Sequence, residues 1–241
     1  MAVVSEWGLA GLEALRPQVS VFVIVDVLSF STTVDVAVSR GAAVYPFPYG
    51  ETEAAHAAST KVGAVLAQPR RAAGGQFSLS PASLTRIAAG TKLMLPSPNG
   101  SRLSLACDPV PVLTGCLRNA AAVAAVAREI SKGGVIAVVP AGEQWRDSSL
   151  RPAIEDLLGA GAVIHHLDLA CSPEAQVARD SYRGAGDDVA RLILASASGR
   201  ELIDSGFPQD VEIALEFNVS AEAPILVDGA YRHSSAAPAI T

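Results

Sequence analysis

Three short stretches place polar side chains where apolar runs end. The first is Asp26 with "SFSTT" behind it, closing the run "VSVFVIVDVL" (19–28); the second is "SPNGS" (97–101) and the third "AGEQWRD" (141–147). "RPAIEDLLGAG" (151–161) follows the third and carries the adjacent acids Glu155 and Asp156. These residue types suit a phosphorylated or otherwise anionic small molecule together with a hard metal ion. Backbone N–H groups at a helix start, with the hydroxyls of Ser31, Thr32, Thr33 and Ser101 beside them, bind phosphate oxygens. Gly100 lets the backbone approach closely, and Asn99 tolerates the tight turn. Asp26, Glu143, Glu155 and Asp156 offer oxygen ligands to Mg²⁺, which keeps several waters and needs only one or two carboxylates. On this reading Asp26, Glu143 and Glu155 form the metal set, and Asp26, Glu155 and Asp156 carry the chemistry. Asp26 either binds the metal or attacks phosphorus as a nucleophile.

Each group also has a structural use. Ser31 or Thr32 can cap a helix, and "SPNG" can be a plain turn. Glu155 and Asp156 near a helix start complement its dipole without any metal. Asp26 is harder to explain that way, because an unpaired carboxylate ending a buried strand costs several kcal/mol. Other chemistries find no motif. The chain has no GxGxxG and no P-loop, and no Cys is followed six positions later by Arg. "RHS" (232–234) is not the Arg-His-Gly of histidine phosphatases, and "DVLSFST" has Leu28 where haloacid-dehalogenase-type phosphatases place a second aspartate. His165 and His166 are adjacent and so diverge, while His56 and His233 stand alone and read as surface positions.

Elements must carry these groups to one place. "VSVFVIVDVL" lacks polar alternation, as a central strand covered on both faces does. "STTVDVAVSRG" reads as a helix starting at the hydroxyls, with Val34, Ala37 and Val38 inward and Gly41 ending it. "AAVYPFP" is a second strand and "ETEAAHAASTKVGA" a second helix. Residues 67–90 read as loop with one helical turn. "TKLMLPSPNGSRLSLA" repeats the strand, polar loop and helix of the opening. "PVLTG" and "GGVIAVVPAG" are further strands around the helix "CLRNAAAVAAVAREISK". From residue 151 helices dominate, with Pro152 in a first turn. "VEIALEFNVSAEAPILVDGAYR" (211–232) alternates enough for one or two edge strands. The expected fold is α/β, with three layers and a mostly parallel or mixed central sheet flanked by helices. Ligands of such sheets bind beyond the carboxyl ends of the strands, where all three polar stretches fall.

The totals agree with this class. A chain of 241 residues, half of them hydrophobic, buries roughly 70–75% of its unfolded surface. It reads as a single α/β domain over 1–241, with two lobes allowed at that length. A net charge of −6, with 18 basic residues scattered singly or in pairs, argues against nucleic acid as a partner. Three cysteines without a CxxC indicate neither a disulfide framework nor a zinc site. No signal-peptide pattern opens the chain and no uncharged apolar run reaches 18 residues, so no membrane partner and a cytoplasmic location are expected. An apolar surface on so alanine-rich a chain leaves a homodimer open.

In order, "VIVDVLSFSTTVDVAVSRGA", "LPSPNGSRL", "GCLRNAAAVA" and "AGE…RPAIEDLLGAGAVI" resemble the 2-phosphosulfolactate phosphatase family over about residues 20–165. That family typically shows Asp-Val-Leu-Arg-Ala-Thr-Thr-Thr, then Thr-Thr-Asn-Gly-Thr-Arg, then Asn-Ala, then Ala-Gly with a later Glu-Asp-Leu. The resemblance implies an α/β fold and a Mg²⁺-dependent phosphomonoester hydrolase acting in coenzyme M biosynthesis. The substrate would be a small anionic three-carbon acid phosphate bearing a sulfonate, 2-phosphosulfolactate, cleaved to 3-sulfolactate. By motif it carries Asp26, Thr32 and Thr33 to a first loop, Asn99, Gly100, Ser101 and Arg102 to a second, and Asn119 to a third. Gly142, Glu155 and Asp156 complete the set. The chain departs from the pattern with Ser29 for Arg, Phe30 for a small residue, Gln68-Pro69-Arg70 for Gly-Glu-Arg, and Leu79-Ser80-Pro81 for Gly-Asn-Ser-Pro. Ser cannot replace a bidentate, permanently charged donor, so Arg70, Arg71 or Arg102 is the candidate to stand in. Two other readings stay open: a same-fold phosphatase of a different small phosphorylated acid, and a non-catalytic anion-binding relative.

Overall fold

The computed structural model describes residues 2–72 and 75–234. Its strands are β1 (Ala2–Ser5), β2 (Val21–Val25), β3 (Ala43–Pro48), β4 (Val65–Leu66), β5 (Lys92–Ser97) and β6 (Val112–Gly115). They continue with β7 (Ile136–Pro140), β8 (Glu143–Gln144), β9 (Leu150–Arg151), β10 (Ala170–Cys171), β11 (Ile225–Val227) and β12 (Ala230–Arg232). The helices before the acidic pair are α1 (Gly8–Leu15), α2 (Phe30–Ser39), α3 (Thr52–Val62), α4 (Pro81–Leu84), α5 (Gly100–Ala106) and α6 (Ala120–Ile130). Then come α7 (Ile154–Leu167), α8 (Pro173–Ala185), α9 (Val189–Ala195), α10 (Ala197–Asp204) and α11 (Pro208–Ala214).

Ten strands form one mixed sheet in the order β10-β1-β7-β2-β6-β11-β12-β3-β5-β4, so the chain has the α/β architecture expected. The first five run parallel, as do β3, β5 and β4. Between these blocks the hairpin β11–β12 runs antiparallel to β6 on one side and to β3 on the other. The strand β2 sits between β7 and β6 and is buried throughout, which is why its sequence shows no polar alternation. Its side chains still divide by face. Val21, Val23 and Val25 pack with Val123 of α6 and Val163 of α7, whereas Phe22 and Ile24 pack with Leu12 of α1 and Leu103 of α5. A third cluster joins Val34 and Val38 of α2 to Val44, Leu93, Leu84 and Tyr231.

Several expectations change. Residues 211–214, read as the start of an alternating tail, close the helix α11, and the strands that follow lie inside the sheet rather than at its edge. Tyr231 is fully buried and donates to Ser104 Oγ at 2.7 Å, so this alternation marks a strand covered on both faces. Pro152 precedes the N-cap Ala153 instead of occupying the first turn of α7. The helix α2 is buried on every side from Phe30 to Val38, not along one stripe. The short strands β1, β4 and β10 carried too little pattern to be read. Among the described residues no helix is long and apolar enough to cross a membrane.

Candidate active site

Beyond Val25 the chain turns at once into α2. Asp26 N–H donates to Ser31 Oγ at 2.9 Å, and Ser31 N–H returns to the Asp26 carbonyl at 2.8 Å. The carboxylate of Asp26 faces two helix starts. Its Oδ1 accepts the N–H of Phe30 at 3.2 Å, and its Oδ2 accepts the N–H of Gly100 at 2.9 Å. These are the first helical residues of α2 and α5, whose leading N–H groups have no partner within their own helices. Two donors of the kind expected to meet a phosphate are thus engaged by the protein's own carboxylate. Gly100 is required there, since a Cβ at this position would lie 2.2 Å from Phe30 Cδ1.

Three further acids share this environment. Asp156, in the first turn of α7, accepts the N–H of Val27 at 2.7 Å on Oδ1 and that of Gly142 at 2.8 Å on Oδ2. It thereby ties the ends of β2 and β7 together. Glu143 opens the small hairpin β8–β9 opposite Arg151, and Asn99 Nδ2 donates to its Oε2 at 2.9 Å. Glu155 is almost completely buried and accepts from Ser196 Oγ at 3.3 Å. Burial pushes Asp26 up to about 6, the nearby charge of Glu155 adding to it and the N–H groups of Phe30 and Gly100 and the charge of Arg70 opposing it. Burial, then the charges of Asp26 and Glu155, push Glu143 up to about 8 against the Asn99 hydrogen bond. Asp156 lies well above the usual carboxylate range through burial and the charges of Asp26, Glu155 and Glu143. The four acids therefore feel one another's charge inside a poorly solvated site.

Arg70 brings the opposing charge. Its Nη2 donates to Ser29 Oγ at 2.7 Å and to the Leu79 carbonyl at 2.9 Å, while Nε meets Asp210 Oδ2 at 3.2 Å. Of the three arginines considered for the absent Arg at position 29, it is the one hydrogen-bonded to Ser29. Asp210, on α11, is itself held by Ser80 Oγ, and sequence reasoning missed it because 140 positions separate it from Arg70. Arg70 lines a cleft of about 500 Å³ at the ends of β3 and β5. Pro98 lies between this cleft and a recess of about 170 Å³ that holds Asn99, Glu143 and the exposed Arg102.

The remaining expected residues are engaged within the fold. Ser31 Oγ accepts from Thr114 at 2.6 Å, Thr32 Oγ1 donates to the Val27 carbonyl at 2.7 Å, and Thr33 Oγ1 to that of Leu79 at 3.1 Å. Ser101 Oγ donates to the Leu95 carbonyl at 2.8 Å. Asn119 stands at the start of α6, accepts from Cys116 N–H at 2.8 Å and keeps a buried Nδ2 without a hydrogen-bond partner. Arg71 reaches the Ser205 carbonyl at 3.2 Å. His56 and His233 are exposed, as expected.

Among the described residues, no three acid, histidine or cysteine side chains form a preassembled metal cluster. The chemistry of the donor set still suits Mg²⁺, because the acids are hard oxygen ligands whose mutual repulsion a dication relieves, and this ion needs only one or two of them.

The sequence profile of the family described as 2-phosphosulpholactate phosphatase matches residues 12–229. A curated protein of Methanothermobacter thermautotrophicus strain Delta H named 2-phosphosulfolactate phosphatase is 34% identical over 219 residues, which cover 89% of this chain and 90% of that protein. Another, from Pseudothermotoga lettingae strain TMO and named probable 2-phosphosulfolactate phosphatase, is 24% identical over 217 residues, covering 88% and 91%.

Proposed function

Because the chain belongs to the 2-phosphosulpholactate phosphatase family, we propose that it is a phosphoric monoester hydrolase. Its substrate class is the phosphate ester of a small 2-hydroxy acid, and the names of its relatives make 2-phosphosulfolactate the first compound to test. The observation that carries this reading is Asp26, a buried carboxylate held by two helix starts and within electrostatic reach of Glu143, Glu155, Asp156 and Arg70.

In the reaction, water attacks phosphorus in line, the P–O bond to the substrate carbon chain breaks, and the proton released from water ends on the departing alcohol. Arg70 binds the phosphoryl oxygens and balances their charge, its fork held in orientation by Asp210 and Ser29. Asp26 has both oxygens fixed by backbone N–H groups, so it acts as a rigid group around which the phosphoryl is set. Asp156 positions the turns that carry Asp26 and Gly142. Glu155 orients the attacking water. One or two of Asp26, Glu143 and Glu155 would hold Mg²⁺, which would supply charge neutralisation at the phosphoryl group. Asn99 orients Glu143 toward that role.

Phosphate release from 2-phosphosulfolactate and 2-phospholactate by purified protein, with Mg²⁺ and with a chelator, tests the reading. Asp26→Asn is expected to lower kcat/KM by about 10³-fold. Equal turnover by variant and parent removes Asp26 from the chemistry, and unchanged turnover with the chelator removes the metal. A different small acid phosphate as the substrate is favoured by one observation: Ser29 stands where the family pattern has an arginine, and its hydroxyl only accepts a hydrogen bond from Arg70.

A further inference from the structure

We propose that the cleft beside Arg70 selects a phosphate monoester whose far end is an apolar or aromatic group, with the phosphoryl end at Arg70. This rests on the hydrolase reading above and concerns the group attached to the ester, not the reaction. The cleft measures about 500 Å³, within the range of roughly 300–1,000 Å³ that holds ligands much larger than a three-carbon acid. Leu66 and Pro69 form one part of its wall, Leu79, Pro96 and Pro98 another, and the ring of Tyr49 stands 66% exposed along it.

Proline has no N–H, so three of these positions cannot donate to an oxyanion. Among the described residues lining the cleft, Arg70 is the single arginine or lysine, and Ser29, the Leu79 carbonyl and Asp210 already occupy three of its donor directions. Exposed Glu51 adds a negative charge to the lining, whose further polar side chains include Thr52, His56 and Gln68. One guanidinium suffices for a phosphoryl group. A second permanently charged anion would enter mainly apolar walls that carry no further arginine or lysine, whereas an aliphatic or aromatic group gains by leaving water there.

The test compares kcat/KM for three esters that differ at one carbon: 2-phospholactate, 2-phosphosulfolactate and the phosphate ester of 3-phenyllactate. Burying a phenyl ring is expected to raise kcat/KM about 10- to 100-fold over 2-phospholactate, and the phenyl ester is expected to exceed the sulfonated one. Leu66→Asp, which adds a carboxylate to the wall, is expected to bring the phenyl-to-methyl ratio close to one. A phenyl advantage below about tenfold, or faster turnover of the sulfonated ester, overturns the proposal. If no ester is hydrolysed, the hydrolase reading fails by itself. Calorimetry with phenylphosphonate and methylphosphonate then decides the cleft alone: about tenfold tighter binding of the phenyl compound upholds it, and equal or undetectable binding overturns it.

Discussion

A carboxylate at the end of a buried strand raises the question of what compensates its charge, and at Asp26 the answer is mostly backbone. Two N–H groups and a nearby guanidinium stabilise the ionised form, yet burial outweighs them. Asp35 is treated differently. It is fully buried within α2 and meets Arg118 Nε at 2.8 Å, with Glu216 on the far side of the same guanidinium. Removing one member of such a pair leaves an uncompensated buried charge. Arg118→Ala is therefore expected to lower stability by about 3–5 kcal/mol in urea unfolding, and Asp35→Asn on that background to recover part of the loss. Asp26 was legible in the sequence because a charge that ends an apolar run has few structural explanations. Its hydroxyl neighbours were harder to assign. Ser31 and Thr32 turned out to bond to the backbone and to Thr114, a choice set by which strand lies alongside and not by their own spacing.

The helices α2 and α5 show how elements enforce the site. They begin on different strands and pack so closely at Phe30 and Gly100 that their first N–H groups reach opposite oxygens of one carboxylate. Gly100→Ala would set a methyl 2.2 Å from the Phe30 ring and push these helix starts apart. The expected cost is about 1–3 kcal/mol, with a fall in kcat/KM beyond what lost stability explains, and Phe30→Leu on the same background should return part of both. Unfolding midpoints and initial rates on the four members of this cycle check it. Strand–loop–helix units were legible from the switch between continuous apolar runs and helical spacing. The order of strands was not, because pairing partners such as β2 and β7 are joined by contacts between residues over a hundred positions apart.

Across the whole molecule the acids make stability depend on pH. Asp26 is raised to about 6 and Glu143 to about 8, so between roughly pH 4 and 8 the native state holds protons that the unfolded chain has released. The unfolded state binds fewer protons, hence the free energy of unfolding falls as pH rises through that window, and the contribution is fullest below the ordinary carboxylate range. In chelator-containing buffer the melting temperature is expected to decline from about pH 5 to pH 8. Glu143→Gln should flatten the upper part of that decline, and Mg²⁺ should raise the melting temperature more at pH 8 than at pH 5. Thermal melts across a buffer series measure all three. The hairpin that joins the two parallel blocks has a different consequence, in the order of manufacture. Residues 43–48 and 112–115 leave the ribosome long before residues 225–232, and each presents a bare sheet border until the hairpin arrives to seal them. From the completion of residue 115 until residue 225 the nascent polypeptide therefore carries two sticky seams, which close only when the keystone is delivered.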